Sequence, residues 1–237
     1  MDLIWNGIAT AFTLVFGGDA EVWAITWLSL KISGLATIIS LLLGMPLGIL
    51  LAMSRFPGRA LAVALVNTGM GLPPVVVGLF VSIFLWRSGP LGFLDLIYTP
   101  AAIVIAQVVI ALPIVAGLTL TSFQTLNPNL GLQLAGIGAS KAQTLWLLCK
   151  EARLPLLAAV MAGFGGIISE VGASMMVGGN IRGQTRVLTT ATVLETARGN
   201  FDLAIALSLI LLALSFAINF ILTHIQQRQL TRWPKPS

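Results

Sequence analysis

Long apolar stretches separated by short polar breaks dominate the chain. Leu3 to Phe16 is apolar and aromatic, carries Trp5, Phe12 and Phe16, and ends at Gly17-Gly18-Asp19. At a rise of ~1.5 Å per residue it reaches about 20 Å, short of the ~30 Å hydrocarbon layer. It reads as an interfacial helix with Trp5 at headgroup level. Five longer stretches follow and predict membrane-spanning helices over 22–53, 60–86, 100–122, 155–177 and 201–223. Lys31 lies about a third of the way into the first and is placed to snorkel towards the nearer surface. Gly44 and Gly48 flank Pro46 there, a spacing that suits close helix approach, a kink, or simple tolerance of small residues in lipid.

The second span is interrupted by Gly69, Gly71, Pro73 and Pro74. Two consecutive prolines remove two backbone donors, so the helix must distort. The freed carbonyls need partners in hydrocarbon, which puts the break against protein or a water-filled path. Pro113 interrupts the third span, and Asn127-Pro128-Asn129 marks a turn after it. The stretch 130–153, with Lys141, Lys150, Glu151 and Arg153, is too polar to span. Its apolar positions Leu134, Ile137, Leu145 and Leu148 predict a surface that packs against something, either a soluble partner or the membrane surface. Pro155 suits the first turn of the fourth span, which carries Gly163, Gly165, Gly166, Gly172 and a single acid, Glu170. A polar region, 178–200, contains Gly-Gly-Asn-Ile-Arg-Gly-Gln-Thr-Arg over 178–186 and predicts a short helix over 188–198.

Composition supports a lipid environment. Hydrophobic residues make up 57% of the 237 and charged residues only 9%, against roughly 25% charged in soluble domains. The net charge of +5 is scattered rather than gathered in a stripe, which argues against nucleic acid. Charge instead reports orientation. With the N-terminus outside, Arg55, Arg59, Lys141, Lys150, Arg153, Arg228, Arg232 and Lys235 fall inside; Lys31, Arg87, Arg182, Arg186 and Arg198 fall outside. The bias favours an external N-terminus and a cytoplasmic C-terminus. Met1-Asp2 opens the chain without a basic region or a cleavage site, so the first span is expected to target the protein and stay in it.

Little chemistry is present. The single cysteine, Cys149, rules out an intrachain disulfide, and the single histidine, His224, leaves no metal cluster and no Ser/His/Asp site. There is no G-x-x-x-x-G-K-[ST], so ATP cannot be bound by a P-loop in this chain. Glu170 reads equally as a pathway or gating residue and as a structural group hydrogen-bonded across helices. The loop 178–186 reads as an external loop that docks a partner or as an anion-binding nest. Arg182 and Arg186 need no special purpose outside the hydrocarbon.

The run Ile168-Ser169-Glu170-Val171-Gly172-Ala173-Ser174-Met175-Met176-Val177-Gly178-Gly179-Asn180-Ile181, continuing through Gly183-Gln184-Thr185-Arg186, resembles the Glu-x-Gly … Gly-Asn-Ile … Gly-x-Thr segment of the permease subunits of ABC importers for small oxyanions. Leu194-Glu195-Thr196 and Gly199-Asn200-Phe201-Asp202 bring it nearest to the tungstate branch of the molybdate, sulfate and tungstate group. The resemblance implies an all-α membrane protein with the type I importer permease fold, forming one transmembrane domain over 1–237 in a prokaryotic cytoplasmic membrane. It implies a homodimer with the pathway between two copies, two cytoplasmic ATPase subunits that bind ATP and magnesium, an external oxyanion-binding protein, and no enzyme activity or cofactor in this chain.

The resemblance also assigns coupling to the ATPase to the region of Gly138, Ala139, Ser140, Lys141, Ala142, Gln143, Thr144 and Trp146. Leu132, Gln133 and Leu134 stand where the family has Glu-Ala-Ala. Gly71, Pro73, Pro74, Glu170 and Gly172 are the candidate pathway or gate residues. The cargo alternatives are molybdate and sulfate. The alternative from another class is a stand-alone secondary carrier, disfavoured by the lack of several intramembrane acids.

Overall fold

The computed structural model describes residues 2–230, with side chains from 4 to 227. Arg232 and Lys235 of the basic tail lie outside the described residues. Eleven α-helices follow in order: α1 Asp2–Phe16, α2 Ala20–Met53, α3 Arg59–Met70, α4 Pro74–Leu85, α5 Pro100–Gln124, α6 Leu130–Gly136, α7 Lys141–Glu151, α8 Arg153–Ile168, α9 Gly172–Gly178, α10 Leu188–Ala197 and α11 Phe201–Leu230. Three of them, α2, α5 and α11, are long and apolar enough to cross a bilayer. Two bent pairs raise the number to five if each counts as one span: α3 with α4, bent by 105°, and α7 with α8, bent by 68°.

Local chemistry explains the main boundaries. Asp19 caps α2 by accepting from the Val22 amide at 2.9 Å, which satisfies a donor with no partner inside the helix. Thr99 precedes Pro100 and accepts from the Ala102 amide, so α5 starts with a capping hydroxyl and a proline whose missing N–H costs nothing there. One expectation needs correction. The fourth span does not run unbroken over 155–177: α8 stops at Ile168 and α9 restarts at Gly172. The cause is the Glu170 side chain, whose Oε1 accepts from the Ala173 amide at 3.0 Å. It takes a donor that a continuous helix would give to the residue-169 carbonyl.

Helix α5 is the central post. Its small side chains Ala102, Ala106, Ala111 and Ala116 are fully buried, and α2, α3, α4, α8 and α9 all pack on it. The buried face of α2 is a stripe of small residues at helical spacing, Thr26, Ser29, Ser33, Thr37, Ser40, Gly44 and Gly48, whose glycines meet α5. A Cβ on Gly48 would come within 2.7 Å of Thr119 Cβ, and one on Gly44 within 3.0 Å of the Leu112 carbonyl oxygen. The pair thus serves close approach, as small residues do between helices in lipid. The hydroxyls of Thr26, Ser29 and Thr37 donate to carbonyls one turn back in α2 at 2.7–2.8 Å, which pairs them in an apolar medium, while Ser40 Oγ is buried without a partner among the described residues.

Helix α1 does not lie alone at the interface. It packs on the start of α11, where Gly7 faces Ile205. Ser29 links distant parts of the chain, because its Oγ also accepts from the Leu188 amide that opens α10, at 2.8 Å. Ser29→Ala strands that buried amide. Thermal unfolding of the purified protein in mild detergent is expected to show a loss of about 1–3 kcal/mol.

Candidate functional site

Two helix breaks define the site. In the first, α3 ends at Met70, and the amides of Gly71 and Leu72 turn back to the carbonyls of Thr68 and Gly69 at 3.1 and 3.3 Å. Pro73 is extended, at φ −62° and ψ 123°, and Pro74 opens α4. The Pro73 carbonyl then accepts from the amides of Val76 and Val77. The prolines therefore sit where their missing donors are least costly.

The second break, at Ser169, Glu170 and Val171, is held by partners from three directions. The Glu170 amide donates to the Ile167 carbonyl at 3.2 Å. The Gln107 side chain, buried on α5, donates to the same carbonyl at 3.2 Å. The Thr189 hydroxyl of α10 donates to the Glu170 carbonyl at 3.0 Å. Irregular backbone at membrane depth survives only when its polar groups are satisfied in this way.

The two breaks meet. A Cβ on Gly172 would lie 2.6 Å from Val75 Cγ2, and one on Gly78 would lie 2.6 Å from the Ala173 Cα. Gly78 lets α4 touch the backbone of α9, and Gly172 leaves room for the Val75 side chain. Gly71, Pro73 and Pro74 thus lead into the turn that packs on the turn after Glu170 and Gly172. Beside this contact, Leu79, Phe80 and Ile83 of α4 are about half exposed and Met175 and Met176 of α9 about one-third, leaving an apolar surface partly uncovered by the described residues. Lysine and arginine are absent between Arg59 and Arg87 and between Arg153 and Arg182, so the α3–α4 and α8–α9 segments bring no fixed cation to this region.

On the side reached by the N-terminus of α2, Arg182 donates through Nε and Nη2 to both carboxylate oxygens of Glu21, and Arg186 Nη1 lies 3.5 Å from the same group. This corrects the reading that the two arginines serve nothing in particular: they tie the loop after α9 to the first turn of α2. Arg182 is 73% exposed and Arg186 only 12%. Exposed pairs contribute little once screened by salt. Arg182→Gln is expected to leave the unfolding temperature unchanged at physiological ionic strength, and Arg186→Gln is expected to lower it; scanning fluorimetry distinguishes the two. Several of the loop's amides are spent internally. Those of Gln184, Thr185 and Arg186 all donate to the Ile181 carbonyl, and the Ile181 amide donates to Thr185 Oγ1. Those four amides are not available to an anion.

At the opposite end, α6 and α7 form a hairpin. Gly138 takes a left-handed turn at φ +84° that favours glycine. Ser140 caps α7 in a capping box: its Oγ accepts from the Gln143 amide at 3.3 Å, and Gln143 Oε1 accepts from the Ser140 amide at 2.8 Å. Ala139 lies between turn and cap, Lys141, Ala142 and Thr144 fill the first turn of α7, and Trp146 lies exposed beneath the Lys150 ammonium, 5.2 Å from the ring centroid. Leu148 is buried and packs with Phe123 and Ala152. Ile137 is 81% exposed and Leu132 73%, so neither packs within the described chain. The hairpin connects directly to the second break, because α7 bends into α8 at Ala152 and α8 ends beside Glu170. The 16 residues of α8 put the two about 24 Å apart.

Sequence reasoning missed Gln107, Thr189, Ser29 and Glu21. Gln107 carried a signal, as an amide in the middle of an apolar span. The others look like ordinary helix-end or small polar residues until the fold brings them to their partners.

Paired helix breaks inside an apolar bundle, joined by one helix to a capped hairpin outside it, fit the framework of a membrane permease. The chain belongs to the family of binding-protein-dependent transport system inner membrane components, whose sequence pattern matches residues 44–231. It is 40% identical over 231 residues to the tungstate uptake system permease protein TupB of Peptoclostridium acidaminophilum, covering 96% of this chain and 100% of that one. It is 27% identical to the molybdenum transport system permease protein ModB of Escherichia coli K12, covering 81% and 91%. The fold is also that of a chain of the MetNI methionine ABC transporter in an inward-facing conformation, with TM-score 0.70, 19% identity, and coverage of 88% of this chain and 95% of that one. The chain is therefore a multi-pass inner-membrane transport subunit and not an enzyme. It works with a separate ATPase and a binding protein.

Proposed function

We propose that the chain is the channel-forming subunit of a tungstate importer and works by alternating access. The observation that carries the cargo is the 40% identity to a tungstate permease over the whole of that protein, against 27% to a molybdate permease. In this reading two copies assemble, and the partly uncovered apolar faces of α4 and α9 line the pathway between them. Gly71, Pro73, Pro74, Glu170 and Gly172 supply the flexing elements at its wall. The hairpin from Gly138 to Trp146, with Ile137 and Leu132 beside it, docks on the cytoplasmic ATPase, which binds ATP and magnesium. The N-terminus faces outside and the C-terminus the cytoplasm, as the loop charges favour.

The mechanical link is α8. When ATP closes the partner ATPase, the hairpin moves, and α8 carries that movement about 24 Å to the break at Glu170. Because Gly172 and Gly78 hold α9 against α4, the two broken helices move together. The walls offer the anion no fixed cation, so selection rests with the external binding protein. A weak, featureless path suits release after delivery.

The test is ATP hydrolysis by the assembled transporter in proteoliposomes. Binding protein loaded with tungstate is expected to stimulate it. Equal lack of stimulation with tungstate, molybdate and sulfate contradicts the reading, and stimulation by molybdate or sulfate alone reassigns the cargo.

A further inference from the structure

We propose that Gln226 is a positioning residue for energy coupling. It fastens the C-terminal end of α11 to the bend between α7 and α8, so that movement of the hairpin reaches the Glu170 break through α11 and α10 as well as through α8. This second route rests on the importer reading above. Gln226 is half-buried, and its Nε2 donates to the Leu154 carbonyl at 3.3 Å. Leu154 lies in the first turn of α8, just past the 68° bend at Ala152. Pro155 has no amide to give to the Glu151 carbonyl, so the backbone at this joint lacks one of the bonds of a continuous helix. Gln226 supplies a hold from another helix.

Helix α8 is compliant where it reaches the break. Gly163, Gly165 and Gly166 fall in its last two turns, and glycine weakens a helix interior. Close packing accounts for the first of them alone. A Cβ on Gly163 would lie 3.0 Å from Val115 Cγ2, whereas one on Gly165 meets nothing within 4 Å and one on Gly166 meets Ile114 Cδ1 at 3.8 Å. Helices α10 and α11 contain neither glycine nor proline. Their joint at 198–200 is closed by the buried Glu195. Its carboxylate accepts from Arg198 Nη1 at 3.0 Å and from Asn200 Nδ2 at 2.7 Å, and its carbonyl accepts from the Asn200 amide at 2.9 Å. The two helices also pack on each other, which makes them one stiff strut. At its far end, Thr189 of α10 donates to the Glu170 carbonyl at 3.0 Å. From Gln226 back to Phe201, α11 alone spans about 38 Å. The bend and the break are thus joined twice, once by a glycine-softened helix and once by this strut.

The test is the tungstate taken up per ATP hydrolysed by the assembled transporter in proteoliposomes, with loaded binding protein present. The ratio reports on assembled, working molecules, so partial unfolding does not move it. Gln226→Leu keeps the bulk of the side chain and removes the donor. It is expected to lower the ratio about threefold, the effect of one contact in a coupling route, with the ATPase still co-purifying at the wild-type stoichiometry. Gln226→Lys keeps a donor of similar reach and is expected to retain the ratio. Thr189→Val cuts the route at its other end. The double variant Gln226→Leu with Thr189→Val is expected to lose no more than the more damaging single one, because effects at independent distant sites would multiply. An unchanged ratio in Gln226→Leu overturns the proposal, as do an equal loss in Gln226→Lys and multiplied losses in the double variant. A wild-type transporter that takes up none of tungstate, molybdate and sulfate contradicts the importer reading and this proposal together.

Discussion

Ile137→Asp is expected to detach the ATPase while leaving the permease folded. Ile137 is 81% exposed and Leu132 73%, and no charged residue occurs between Thr125 and Ser140. A water-facing hairpin gains nothing from two bare aliphatic knobs; a partner's groove does. The left-handed Gly138 and the Ser140–Gln143 capping box hold Ile137 in one place, so little ordering entropy is lost when it docks. An aspartate there must be desolvated without a counter-charge, and a central anchor of this kind is worth about 2 kcal/mol or more. The ATPase is expected to co-purify at less than about one-tenth of the wild-type stoichiometry, with binding-protein-stimulated hydrolysis lost in proportion. The unfolding temperature of the permease alone stays unchanged, because Ile137 supports nothing within its own chain. Normal co-purification would place the docking surface elsewhere on the hairpin.

Gly78→Leu is expected to break the site itself. A Cβ at Gly78 would lie 2.6 Å from the Ala173 Cα and 3.3 Å from Met176 Cβ. The nearest obstacle is backbone, which cannot swing aside, so α4 must move away from α9. Overpacking of this kind costs about 1–3 kcal/mol when side chains can adjust, and more when they cannot. Transport is expected to fall to background. Gly34 is the control: a Cβ there meets nothing within 4 Å. Gly34→Ala should gain helix propensity, about 1 kcal/mol, and leave uptake intact. Equal damage from both substitutions would mean that glycine matters generally rather than at the α4–α9 contact.

The sequence carried one of the two helix breaks openly and concealed the other. Pro73 and Pro74 announce a break because proline lacks the donor a helix needs, whatever surrounds it. The break at Ser169 to Val171 contains no proline. It depends on a carboxylate three residues before its donor and on Gln107 and Thr189, which are 60 and 19 residues away from the carbonyls they serve. Such partners are invisible until the bundle is assembled. Glu170 was legible as unusual and illegible in role, since an acid in a span marks either a pathway or a structural anchor. Its carboxylate binds the α9 backbone, and the position beside Gly172 keeps it at the candidate pathway as well.

Glu21 was hidden for another reason. An acid in the first turn of a helix is common and stabilising on its own, so nothing in the pattern points to arginines more than 160 residues later. Helical spacing grouped Ile137 with Leu148 on one apolar face without saying what covers each; the fold separates them, since Leu148 packs on Phe123 and Ala152 while Ile137 stays exposed.

One comparison tests dependence on a partner most directly: uptake of tungstate into proteoliposomes containing this chain alone, and into proteoliposomes containing it with the ATPase, ATP and the loaded binding protein. The expected result is accumulation only with all components present, and none when an ion gradient is imposed on the chain by itself. Accumulation driven by an ion gradient in the absence of the ATPase would contradict it.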